Sequence, residues 1–292
     1  MINLGNNNEE GVSNYMFVLS DIDNIIINSI KEDMPSGDIT TDNIIDENAN
    51  SEAKMIAKNS GIIAGLDIAK RVFELLDQNV KFEKQVSEGQ WVNKGDVIAT
   101  IRGNTRALLK GERTALNILQ RLSGIATKTR EYADKIKHLK AKVVDTRKTT
   151  PGIRVLEKYA VRVGGGTNHR FCLSDGVLIK DNHIKAAGGI KKAIDLVRDK
   201  IPHTIKIEVE TETIDEVQEA IDGNADIIML DNMGLDIMKE AVKIINGKAI
   251  VEASGNVNLN SVVDIAETGV DIISVGSLTH SVNAFDISMK IN

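Results

Sequence analysis

Six apolar runs in the second half of the chain, residues 142–147, 176–180, 204–210, 226–231, 248–254 and 271–276, each stop on a polar or glycine residue. Between most of them apolar positions recur at helical spacing, as at Ile190, Ala193, Ile194 and Val197, or at Ile214, Val217, Ala220 and Ile221. Strands alternating with amphipathic helices predict a parallel α/β barrel. In such a barrel the C-terminal ends of all strands meet on one rim, which gathers Arg147, Lys180, Glu210, Asp231, Ser254 and Gly276 around a single site. That convergence marks the chain as an enzyme.

The first half follows another pattern. Residues 1–19 carry little periodicity and predict a loose start, followed by a helix near 20–31. Strand-like runs at 54–57, 80–86 and 97–101, a helix over 68–76, and turns at Gly89, Gly95 and Asp96 predict a smaller α+β domain. A long helical pattern over 107–137 is expected to break or kink near Ser123 and Gly124. The boundary falls within it, giving an N-terminal domain over 1–122 and a barrel domain over 123–292 whose last residues can pack back on the first.

Composition narrows the function. The 292 residues are 42% hydrophobic but only 3% aromatic, so a full core must be built mainly from Ile, Val, Leu, Ala and Met. A net charge of −6 and no Lys/Arg-dominated block argue against a nucleic-acid partner. The single Cys172 excludes an intrachain disulfide and reads as a small core residue in a reducing compartment. No apolar run approaches the roughly 20 residues of a membrane span, and the N-terminus is polar. A soluble cytoplasmic protein without a membrane partner is expected.

Several motifs carry candidate chemistry. Asp145-Thr-Arg-Lys-Thr-Thr-Pro-Gly152 places two cations at a strand end, suited to an anion: Arg147 by paired hydrogen bonds, Lys148 as a compact charge. It reads equally as a solvated turn opening a helix over 153–162. The run Gly164-Gly-Gly-Thr-Asn-His-Arg170 lacks the pattern of a nucleotide P-loop or a dinucleotide fingerprint. His169 and His183 lie outside any compact zinc-ligand motif. Lys180 can bind phosphate, form a Schiff base, or pair with Asp181 or a neighbouring strand's carboxylate. Glu208 and Glu210 alternate, so in a strand both face the same side, costly without partners. Glu210 and Asp231 can bind ribose hydroxyls and Mg²⁺, or neutralise Lys148 and Lys180. The small residues at Ser254-Gly255-Asn256 and Val275-Gly276-Ser277 suit a phosphate, though they are also ordinary turn formers.

Together, GERTALNILQRLSGIAT, DTRKTTPGIRVLEKYAVRVGGGTNHR, LIKDNHI, LDNM, EASGNV and GVDIISVGSLTHS closely resemble the quinolinate phosphoribosyltransferase family, as do EDMPSGDITT at 32–41 and GIIAGLDIAKRVF at 61–73. Only the N-terminal dozen residues look peculiar to this chain. The resemblance implies an N-terminal open-faced α/β sandwich and an incomplete parallel α/β barrel, with a further short strand plausible at 170–173. It implies phosphoribosyl transfer from 5-phosphoribosyl 1-pyrophosphate to quinolinate with decarboxylation, Mg²⁺ as cofactor, and a homodimer or dimer-based oligomer in which Arg113 is supplied by the partner subunit. By resemblance Arg113, Thr146, Arg147, Lys148, His169 and Arg170 belong to the quinolinate pocket, and Lys180 contacts phosphate. Glu210 and Asp231 serve ribose and metal, and Ser254, Gly255, Asn256, Val275, Gly276 and Ser277 the 5-phosphate. Lys148, Lys180, Glu210 and Asp231 form the implied catalytic set.

Three alternatives stand beside this reading: a related phosphoribosyltransferase that loses no carbon dioxide, a Schiff-base lyase using Lys148 or Lys180, and a catalytically silent metabolite-binding protein with the same pocket.

Overall fold

The computed structural model describes residues 19–291. The loose start expected over residues 1–19 lies almost wholly outside them, and the helix that follows spans Leu19–Asp33. The chain packs as two compact units. One comprises the described residues up to 128 together with 150–164 and 282 onward; the other comprises 129–149 and 165–281.

The first unit is built on a four-stranded antiparallel sheet in the order Ile287–Ile291, Asn50–Ala57, Val97–Asn104, Lys81–Lys84. Among the described residues the last strand thus pairs with the first, Met289 opposite Met55. Ala53, Met55 and Ala57 are buried while the intervening Lys54 and Ile56 are half-buried, the alternation of a sheet covered more fully on one face. Helix Leu66–Leu76 buries Leu66, Ile68, Ala69, Val72 and Phe73, and the Phe73 ring meets Phe82 of the sheet at 6.3 Å. Glu88 satisfies the start of that helix by accepting the Gly65 and Leu66 N–H groups, and it also accepts the Tyr159 hydroxyl.

The helix Thr105–Ile136 runs unbroken for 32 residues, so the break expected at Ser123 and Gly124 does not occur. Glycine serves close approach there: a Cβ on Gly124 would lie 2.3 Å from the Asn283 carbonyl. Ser123 accepts the Ala64 N–H. Helix Arg154–Val163 carries Glu157, fully buried, which accepts from the Arg121 guanidinium and from the Thr150 backbone and hydroxyl.

The second unit holds a six-stranded parallel sheet in the order Lys142–Val144, Ile272–Ser274, Ile250–Ser254, Ile227–Asp231, Ile207–Thr211, Val177–Ile179. Each of the six apolar runs forms one strand, and the amphipathic stretches between them form helices such as Ile190–Arg198 and Ile214–Asp222. Six strands leave the barrel incomplete.

The extra strand expected at 170–173 is absent; Thr167 bridges Val144 in parallel instead, and residues 171–174 turn sharply. Asp175 holds that turn by accepting the Phe171 and Cys172 N–H groups. Cys172 is consequently exposed and not the core residue expected, its thiol 3.1 Å from Asp175 Oδ1. Among the described residues no helix is long and apolar enough to cross a membrane.

Candidate active site

Parallel strands point their C-terminal ends the same way, and the expected rim residues sit at those ends. Asp231 and Ser254 terminate neighbouring strands and are register partners. Glu210 lies one residue from the end of Ile207–Thr211, and Lys180 directly follows Val177–Ile179. Of the uses open to Lys180, the structure shows the pairing with a neighbouring strand's carboxylate: its ammonium contacts Glu210 Oε2. Strand separation of roughly 4.8 Å brings such side chains within reach.

On the other flank, Arg147 and Lys148 lie exposed just past Lys142–Val144. Thr146 Oγ1 accepts the Lys148 N–H at 3.0 Å, and the Thr279 hydroxyl donates to the Lys148 carbonyl at 2.8 Å. Gly276 leaves room for the Lys148 side chain, whose Cδ would lie 3.3 Å from a Cβ there. Lys148 is thereby brought against the loop 275–277. The loop at 254–256 is shaped by glycine too: Gly255 has φ +95°, and a Cβ on it would lie 2.2 Å from Asn232 Oδ1. Asn232 donates to Asp231 Oδ2 at 2.8 Å and accepts from Asn256 at 3.0 Å, linking metal-candidate carboxylate to phosphate-candidate loop.

The glycine run closes part of the gap between the sheet's outer strands. Thr167 exchanges backbone hydrogen bonds with Val143 and Asp145. The fully buried Asp145 accepts from the His169 N–H and the Asn168 amide. Arg170 donates to the Gly176 carbonyl at 2.8 Å. Its guanidinium is held below the usual arginine range, first by burial and then by the charge of Arg147, while Glu208 and Asp175 oppose the shift. His169 turns its Nε2 to Glu208 at 3.0 Å and lies 3.7 Å from Glu252. Burial, followed by Glu208, pushes the Glu252 carboxyl up to about 7, with His169, Ser274 and Lys180 opposing.

The second unit therefore contains every candidate except Arg113, which is exposed on the helix Thr105–Ile136 within the first. Four participants were not among the sequence candidates: Asp145, Asn232, Glu208 and Glu252. The Glu208–Val–Glu210 alternation put Glu208 on the same side as Glu210, and Glu252 opens the EASGNV segment, but neither was singled out for the site.

A parallel barrel with cations and carboxylates set around one rim is the build of an enzyme that holds a multiply charged anion. Residues 38–123 match the model of the N-terminal domain of quinolinate phosphoribosyl transferase, and residues 125–290 that of its C-terminal domain. The chain belongs to this family. It is 49% identical over 265 residues to the probable nicotinate-nucleotide pyrophosphorylase (carboxylating) of Synechocystis sp., covering 90% of each chain. The Bacillus subtilis protein of the same name is 48% identical over 260 residues, covering 89% of this chain and 90% of that one. The crystal structure of NadC from Streptococcus pyogenes superposes with a TM-score of 0.92 at 42% identity, over 96% of this chain and 99% of the other.

Proposed function

We propose that this chain transfers the phosphoribosyl group of 5-phosphoribosyl 1-pyrophosphate to quinolinate, releasing pyrophosphate and carbon dioxide and forming nicotinate mononucleotide for NAD biosynthesis. Family membership supports the reaction. The observation that supports its placement is the charge of Arg147 acting on Arg170, one of the causes that hold the Arg170 guanidinium below its usual range, an effect that a bound dianion such as quinolinate offsets.

In this reading Arg147 and Arg170 hold the two carboxylates, with Thr146, Lys148 and His169 around them and Arg113 supplied by the partner subunit of a dimer. Lys180 contacts phosphate, and pairing with Glu210 keeps its ammonium in place. The loops 254–256 and 275–277 offer backbone N–H groups to the 5-phosphate. Glu210 and Asp231 fit Mg²⁺ as hard oxygen donors on adjacent strands. Two carboxylates are too few for a full shell, which suits a cation shared with substrate phosphate and water. Bound there, it would neutralise charge on the departing pyrophosphate.

The protein's contribution is positioning and charge stabilisation. As the bond to pyrophosphate breaks, the ribosyl carbon becomes oxocarbenium-like and the pyridine nitrogen attacks its opposite face. Quaternisation makes the ring an electron sink. The bond to the adjacent carboxylate then breaks, its electron pair passes to the ring carbon, and that carbon takes up a proton. Lys148, next in the chain to Arg147, is the group assigned to assist this step.

Formation of nicotinate mononucleotide and carbon dioxide from quinolinate, phosphoribosyl pyrophosphate and Mg²⁺, with each omitted in turn, tests the reaction. Products that require all three support it; nicotinate consumption without carbon dioxide release refutes it. Lys148→Ala should lower kcat by about 100-fold or more while changing KM only a few-fold. A change in KM alone removes Lys148 from the chemical step.

A further inference from the structure

Inside the barrel lies a polar cluster that the proposed chemistry leaves without a role. Glu208 and Glu252 are 3% and 1% exposed, on strands separated by Ile227–Asp231. Glu208 Oε1 and Glu252 Oε1 have no hydrogen-bond partner among the described residues. Burying carboxylate oxygens this way costs free energy that packing alone does not return, so a functional reason for keeping them is required.

His169 supplies the direction of that reason. Its Nδ1 accepts the Arg170 N–H at 2.8 Å, which leaves the ring hydrogen on Nε2, and Nε2 then donates to Glu208 Oε2 at 3.0 Å. Its backbone N–H is fixed on Asp145. The ring is held at both nitrogens, between a buried carboxylate and the peptide that carries Arg170. The donor atoms of His169, Glu208 and Glu252 lie within 4.8 Å of one another, a spacing a metal ion could span. The tautomer argues against one: a protonated Nε2 has no lone pair for a metal. Glu208 also favours the Arg170 charge that burial and Arg147 disfavour.

We infer that Glu208 is a positioning residue for the dicarboxylate end of the site: by accepting the His169 Nε2–H it fixes the ring, and through the ring the Arg170 peptide, in the orientation that receives the substrate's carboxylates. The inference rests on the reading of this rim as the quinolinate pocket. It assigns Glu208 no contact with substrate. A glutamine at 208 preserves an acceptor for Nε2–H, whereas an alanine removes it.

Glu208→Ala should raise KM for quinolinate about tenfold or more, with KM for phosphoribosyl pyrophosphate nearly unmoved, and Glu208→Gln should restore most of the loss. Equal rises in both KM values indicate a merely structural role and overturn the inference. A Gln variant as impaired as the Ala variant also overturns it, because charge and not the hydrogen bond then matters. Should Glu208→Ala fail to fold, Glu208→Asp, which withdraws the acceptor by one methylene, replaces it and must show the same selective rise. Nitrogen-15 NMR of the His169 ring gives an arm independent of turnover. The Nε2 proton should keep its downfield, slowly exchanging signal in Glu208→Gln and lose it in Glu208→Ala; an unchanged signal in Glu208→Ala overturns the inference. If the unaltered enzyme makes no product from quinolinate, the functional reading fails while this arm still decides the positioning role.

Discussion

Glu252 makes the stability of this protein depend on pH in a direction opposite to that of most acidic groups. Its carboxyl is pushed from 4.5 up to about 7, chiefly by burial and then by Glu208. Between those values the folded chain holds a proton that the unfolded chain has released, so unfolding becomes easier as pH rises through the window. Below 4.5 the group contributes no difference, and above 7 the full cost is present. A shift of this size corresponds to about 3 kcal/mol. Glu252→Gln replaces the protonated acid by a neutral group of the same shape and removes the dependence.

The measurement is urea or thermal unfolding of both chains at pH 5 and pH 8. Subtracting one chain from the other cancels the remaining titrations, including those of Asp23, Asp42 and Asp181, whose lowered values act at lower pH. At pH 5 the two should be nearly equal. At pH 8 the variant should be the more stable by about 3 kcal/mol, or roughly 6–12 °C for a cooperative unit of this size. A difference of the same size at both pH values would falsify the assignment of a raised Glu252, since a packing defect or gain does not titrate.

Other consequences follow from particular contacts. If Arg113 completes the partner's site, Arg113→Ala and Lys148→Ala subunits, each inactive alone, should recover about a quarter of full activity when mixed and reassociated, because a symmetric heterodimer contains one intact site; no recovery refutes the sharing. Gly255→Ala forces a Cβ toward Asn232 Oδ1 at a residue with φ +95°, so it should raise KM for phosphoribosyl pyrophosphate and lower stability by about 1–3 kcal/mol, read from kinetics and a urea midpoint. Gly124→Ala should destabilise without a selective effect on either KM, since its Cβ would meet the Asn283 carbonyl; a stability within about 0.5 kcal/mol of the parent would show that the backbone gives way freely.

The parts of this molecule that the sequence announces are those governed by local periodicity. Six largely apolar runs ending on polar residues suffice to place six strands and their rim, because a parallel strand buried on both faces is mainly apolar and its C-terminal end carries the chemistry. What the sequence leaves illegible depends on a single contact with something distant. The Thr167 bridge to Val144 is one residue pair inside a glycine run and produces no alternation, so the strand was expected three residues too late. Gly124 looks like a helix breaker because nothing beside it in the chain reveals the Asn283 carbonyl that requires it. His169 is the sharpest case. Residue type marks it as a candidate for substrate, yet its Nε2 is committed to a carboxylate on one strand and neighbours another two strands over. An imidazole's role is set by what its two nitrogens face, and here Nδ1 faces the adjacent Arg170 N–H while Nε2 faces a carboxylate placed by the barrel. The distinction has a mechanistic consequence: with both ring nitrogens of His169 engaged, the orientation of the Arg170 charge is only as good as the buried carboxylate beneath the ring.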